Sequence, residues 1–225
     1  MENNILLDKP FCMQRATLYA LFSNIFMEVP IEENYSFIDV LDDVMQCLDT
    51  STATINPLCN LYAPLKSFIN NRDALNLKER TLLDNNIIND FSQLFNNNDT
   101  ISLYQSDYTV FNETEKTNLY NLMKQYSFES IANEQNLIDH VSTELVFYSY
   151  LSKLLIGYIN TNNYEMIELI TKVQKDFLNN TLLSWLPKLF HKIENTNTIT
   201  EFYPLTIKFL HNILLFDKNL LDNFN

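Results

Sequence analysis

Apolar residues recur along this chain at steps of three and four, the spacing of one buried helical face, and no stretch alternates convincingly with period two. The pattern is strongest over residues 133–158. Leu137, Val141, Leu145, Tyr148, Leu151, Leu155 and Tyr158 share one face there, and Ile138, Val146, Phe147, Tyr150 and Leu154 flank it. A helix apolar around most of its circumference is surrounded by others, so this one is predicted to be the centre of the fold. Its polar exceptions, Asp139, His140 and Glu144, gather at the N-terminal end, His140 and Glu144 four apart on one side. With Asn136 as cap, Asp139 falls at the third helical position, favoured by the positive end of the macrodipole, and His140 comes within a turn of Thr143 and Glu144.

The rest of the chain repeats the pattern in shorter lengths. Pro10 suits the first turn of a helix whose inward residues are Phe11, Leu18, Leu21, Phe22, Ile25 and Phe26, with Pro30 marking its end. Residues 34–48 predict a second helix, with Phe37, Val40, Leu41, Val44 and Leu48 inward and Asp39, Asp42 and Asp43 outward. Residues 55–70 predict a third, interrupted at Pro57 and Pro64, and residues 74–95 one or two more. Further helices are expected from Asn112 or Thr114 to about Ser127, then over 162–179, 181–193 and 199–216. Residues 96–112 lack helical spacing yet hold Tyr104, Tyr108 and Phe111, which predicts an ordered loop packed over something. The sum is an all-α protein of eight to ten helices without a sheet, one globular domain over 1–225, with no solenoid repeat.

Composition narrows the function. A single glycine, Gly157, leaves no phosphate-cradling loop and no dinucleotide-binding turn, and asparagine pairs such as Asn162-Asn163 and Asn179-Asn180 take the breaker role instead. Twenty-eight acidic against fifteen basic residues give a net charge of −13, which repels nucleic acid and anionic lipid and attracts basic partners. Cys12, Cys47 and Cys59 are an odd number without CxxC spacing, each among apolar neighbours, as expected of reduced thiols in the cytoplasm. Neither a signal-length apolar run nor one approaching the roughly 20 residues of a membrane span is present, so neither export nor membrane insertion is expected.

Little in the sequence points to catalysis. His191 and His211 stand far from Asp139 and His140 with no second ligand motif beside them, and the Asp-His order reverses that of the HD phosphohydrolases. Asp42-Asp43 lacks the fifth-position acid of the DDxxD magnesium motif, since Gln46 stands there. No serine or cysteine occupies a nucleophile elbow. A carboxylate-rich surface, loop aromatics and an Asp-His pair at a helix start suit a peptide with a basic end and an apolar body. The rival from another class is a helical metal-dependent enzyme using Asp139, His140 and Glu144.

These residues carry a resemblance. Glu134, then Asp139-His140, Glu144-Leu145 and Phe147 stand in the order of the signature element of the TorD/DmsD family of maturation chaperones for molybdopterin oxidoreductases, which the chain resembles. Three more segments follow that family's order: the opening RATLYALFSNIF; Asp90-Phe91, Leu94-Phe95 and Ser102 to Ser106; and Phe177-Leu178, Thr181-Leu182 and Trp185 before Phe202-Tyr203, with threonine at 181 where histidine is usual. The resemblance implies a cytoplasmic, all-helical chaperone without catalytic activity or cofactor. Its partner would be the twin-arginine signal peptide of an apo molybdopterin oxidoreductase of the DMSO or TMAO reductase kind, with homodimerisation left open. The peptide groove would hold Asp139 and His140, with Phe91, Leu94, Phe95 and Tyr104 as apolar wall, Ser106 nearby, and Glu134 and Glu144 as arginine partners. A nitrate-reductase-type assembly chaperone is the alternative within the same superfamily.

Overall fold

The structure is a computed structural model and describes residues 5–27, 31–32, 35–36, 40–41, 57–96, 101–128 and 137–224. Eight α-helices lie among the described residues: α1 (Lys9–Met27), α2 (Pro57–Asp73), α3 (Leu77–Phe91), α4 (Glu113–Gln125), α5 (Val141–Asn160), α6 (Tyr164–Phe177), α7 (Leu183–Glu194) and α8 (Phe202–Asp222). Two-residue strands, β1 (Ile31–Glu32) and β2 (Tyr35–Ser36), pair antiparallel but are too short to form a layer, and the architecture is all-α. The second helix expected over 34–48 lies mostly outside the described residues, as do Asp39, Asp42, Asp43 and Cys47. Val40 and Leu41 are helical there, with Leu41 buried.

The centre is the pair α1 and α5, which pack antiparallel along most of their lengths. Small residues seven apart on each helix, Ala16 and Ser23 against Ser142 and Ser149, let the backbones approach. The hydroxyls then bond across the seam, Ser23 Oγ donating to Ser142 O at 2.8 Å and Ser149 Oγ to Ala16 O at 2.6 Å. Beside the seam Arg15 is 1 % exposed. Its Nε donates to Asp217 Oδ2 of α8 at 2.6 Å, its Nη2 donates to Tyr148 Oη at 2.9 Å, and Tyr19 Oη donates to the same Asp217 oxygen at 2.7 Å. A charge removed from water this completely persists because it is paired and hydrogen-bonded. Cys12 packs nearby, its Sγ donating to Leu6 O at 3.0 Å, and burial pushes its thiol up to about 11, out of reach of ready oxidation.

Several expected boundaries move. The central helix begins at Val141 rather than near 133, with His140 as cap in place of Asn136, which lies outside the described residues. Pro64 does not interrupt α2: it and Asn60, whose carbonyl loses its helical N–H partner, both face solvent, where water can serve that carbonyl. The last helix runs on to Asp222. Asparagine does replace glycine at the α5–α6 turn, where Asn162 adopts φ 51° and Asn163 caps α6 by accepting from Met166 N. Between α6 and α7 the helix never breaks, because Leu178–Leu182 forms a π segment that carries the backbone from one into the other. At the far end of α3, Asp90 accepts from Ile199 N, Thr200 N and Thr200 Oγ1 and so fixes the approach to α8.

Candidate functional site

The loop and the start of α5 are sewn together by backbone. Val141 N donates to Leu103 O at 2.9 Å and Gln105 N to Asp139 O at 2.8 Å, which sets Tyr104 opposite His140 in an isolated antiparallel bridge. Their rings meet edge to face at 5.0 Å. Asp139 is fully buried: its Oδ2 accepts from Ser106 N at 3.2 Å, and Lys116 Nζ of α4 stands 3.7 Å from Oδ1, which has no hydrogen-bond partner. That carboxylate therefore ties loop, α4 and α5 into one corner.

His140 caps α5, its Nδ1 accepting from Ser142 N at 3.2 Å, so a neutral ring carries its proton on Nε2. Burial pushes the imidazole down to about 4, against the pull of the Asp139 charge, and the ring is neutral at physiological pH. One turn further, Glu144 is fully buried and turned inward, with Trp185 Nε1 of α7 donating to its Oε2 at 2.8 Å. Burial raises its carboxyl well above the ordinary range, the tryptophan bond opposes that, and the nearby Asp139 charge adds to it.

Tyr104 and Ser106 thus share the corner with Asp139 and His140, whereas Phe91, Leu94 and Phe95 form a separate group. Phe91 and Leu94 are buried and Phe95 half-buried, and the Phe95 ring packs against Phe26 at 6.1 Å and Tyr203 at 5.6 Å. The link between the groups is backbone, Ile101 N donating to Leu94 O at 2.8 Å. Glu134 lies outside the described residues. The loop aromatics do pack over something: Tyr108 lies on Trp185 at 5.4 Å, under Lys192 at 4.4 Å, while Lys188 Nζ donates to Tyr108 O. His191 is exposed and His211 rests against Phe190, and among the described residues no three His, Cys, Asp or Glu side chains converge as metal ligands.

A cavity of about 410 Å³ opens on the other flank of the same loop, bounded by Gln105 and Phe111, by Glu115 and Leu119 of α4, and by Thr181 and Ser184 where the π segment joins α7. Sequence reasoning passed over Gln105, Lys116 and the Glu144–Trp185 bond. The one available signal was the 179–181 breaker run set against the aromatic loop, and it does not say that the two meet in space.

The all-helical frame thus sets Asp139, His140 and Glu144 in capping and internal contacts beside an open cavity. Residues 55–191 match the family described as nitrate reductase delta subunit, well over half of the chain, and the chain belongs to that family, the family of TorD-like chaperones. It is similar to the chaperone protein TorD of Vibrio parahaemolyticus serotype O3:K6 (strain RIMD 2210633), at 26 % identity over 194 residues that cover 82 % of this chain and 84 % of that relative. No solved structure matches. The protein is a maturation chaperone for molybdoenzymes, not an enzyme, and no helix among its described residues is long and apolar enough to cross a membrane.

Proposed function

We propose that this chain is a cytoplasmic chaperone, one domain over 1–225, that binds the twin-arginine signal peptide of an apo molybdopterin oxidoreductase of the DMSO or TMAO reductase kind. It holds the client until the cofactor is inserted and only then releases it for export. The observation that carries the reading is the meeting of two surfaces along one loop: the corner of Tyr104, Ser106, Asp139 and His140 on one flank, and the cavity between loop, α4 and α7 on the other. A peptide lying along that loop meets the partly exposed Tyr104 and Ser106 at the corner and apolar side chains in the cavity, as an amphipathic signal segment requires. The net charge of −13 favours a basic ligand. Phe91, Leu94 and Phe95 serve in this reading as the packed support of the loop, and Glu144 as an internal strut rather than an arginine partner.

Calorimetric titration of the full chain with a twin-arginine signal peptide of a DMSO or TMAO reductase-type molybdoenzyme tests this. Binding near one to one is expected, weakened by replacing both arginines of the peptide with citrulline. Equal affinity for the two peptides would refute it. The family's description favours one second reading, assembly of a nitrate-reductase-type subunit through a different N-terminal segment. Preferential binding of that segment in the same titration decides for it.

A further inference from the structure

Two of the three hydroxyls lining the cavity have already given their protons to backbone carbonyls. Thr109 Oγ1 donates to Gln105 O at 3.3 Å and Ser184 Oγ to Thr181 O at 2.6 Å, so each offers only lone pairs to anything that enters. Gln105 forms part of the wall at 5 % exposure, and its Oε1 has no hydrogen-bond partner. Among the described residues the one ionisable group in the lining is Glu115, and no lysine, arginine or histidine joins it. Phe111, Leu119 and Leu122 make the apolar part of the wall near α4, and the amides of Asn118 and, on the π segment, Asn180 also line it, each with an acceptor oxygen beside its N–H donors.

An open cavity that holds one carboxylate, the unpartnered Gln105 oxygen and no cation favours a cation with many donors on an apolar stem. Guanidinium supplies five N–H donors in a fixed fork, is more weakly hydrated than ammonium, and rides on three methylenes that can lie along Leu119 and Leu122. The positive end of α4 lies close by and works against a cation, but Glu113 and Glu115 in its first turn offset it. Lys116, the nearest ammonium on α4, is directed to Asp139 and leaves the cavity free.

We propose that this cavity receives one arginine side chain of an extended basic segment, its guanidinium among Glu115, Gln105 and Ser184 and its stem on Leu119 and Leu122. The source of that arginine rests on the signal-peptide reading above, whereas the site itself does not. The π segment has a role here, since it brings Thr181 and Ser184 to the rim.

The experiment uses the full chain, a twin-arginine peptide, its citrulline counterpart and free arginine amide. Glu115→Gln keeps the α4 capping box, because glutamine at that position can still accept from Asn112 N, yet removes the charge. Arginine amide should shift the methyl resonances of Leu119 and Leu122, and Glu115→Gln should weaken the arginine peptide about tenfold while leaving the citrulline peptide unchanged. Gln105→Met should weaken the arginine peptide as well. If arginine amide moves the cavity methyls while no signal peptide binds, the cavity assignment stands and the signal-peptide reading falls. If the twin-arginine peptide binds Glu115→Gln and Gln105→Met at full strength, or arginine amide perturbs only residues elsewhere, the cavity assignment is overturned and the signal-peptide reading survives.

Discussion

His140 is at once the cap of α5 and a titratable ring, and burial makes those two roles pull on stability together. Its folded value near 4 lies below the ordinary 6.5, so the stability it lends is present above pH 6.5 and is lost as pH falls through 4. In that window the unfolded chain takes up a proton that the native chain refuses. The effect is about 3 kcal/mol at most, since each tenfold loss of proton affinity is worth about 1.4 kcal/mol. Glu144, one turn away, has the opposite sign: its raised carboxyl lends stability that is present below the ordinary carboxyl range and lost as pH rises. His140→Asn keeps a good cap and removes the titration, so its urea midpoint between pH 6.5 and 4.5 should fall less than that of the parent chain. Glu144→Gln keeps an acceptor for Trp185 and should gain stability relative to the parent as pH rises from 5 to 8. Parallel pH profiles for parent and variants would show that neither group is held as described.

At the scale of elements, the π segment Leu178–Leu182 decides where α7 points. Each residue added to or removed from a helix turns the downstream chain by about 100° and moves it about 1.5 Å. Deleting Asn180, an exposed residue, should therefore rotate α7 so that Trp185 Nε1 leaves Glu144 and the indole leaves its fully buried place. Because Trp185 is the single tryptophan, emission reports this directly: a red shift and a lower melting temperature are expected, and unchanged blue emission would mean that the segment does not set the register. The Asn179-Asn180 pair was legible in the sequence as a disturbance, but its kind was not. Asparagine's poor fit to a helix interior cannot say whether the ladder stops or lengthens to i→i+5. The start of α5 shows the same limit. Asn136 and His140 both have capping chemistry, and the cap fell to His140 where Leu103 and Gln105 pair with the backbone on either side of it, a partnership no local pattern encodes. Helix α4 was more legible: Asn112 and Thr114 were both candidate caps, and the capping box of Asn112 with Glu115, written in consecutive sequence, decides for Asn112, while the helix ends at Gln125 rather than near Ser127.

For the molecule as a whole, spacing of apolar residues and the scarcity of glycine sufficed to give an all-α frame, because both act through local backbone preference. The contacts that hold the frame shut were not legible. Arg15 and Asp217 are 202 residues apart, and the cavity takes its wall from three segments that only the fold brings together. Net charge is also a property of the whole, and it yields a prediction that separates long-range attraction from the cavity's own bond. Surface carboxylates act on a basic peptide through solvent and are screened over about 8 Å at physiological ionic strength, whereas a guanidinium seated beside Glu115 and Gln105 is partly shielded from salt. Affinity for a twin-arginine peptide should therefore fall roughly tenfold between 0.05 and 0.5 M sodium chloride and then level off above the affinity of the citrulline peptide. The loss should fall mainly on the association rate, read by stopped flow, with the dissociation rate nearly constant. A twin-arginine peptide that converges on its citrulline counterpart at high salt would leave only the diffuse field of the −13 charge, with no guanidinium held in the cavity.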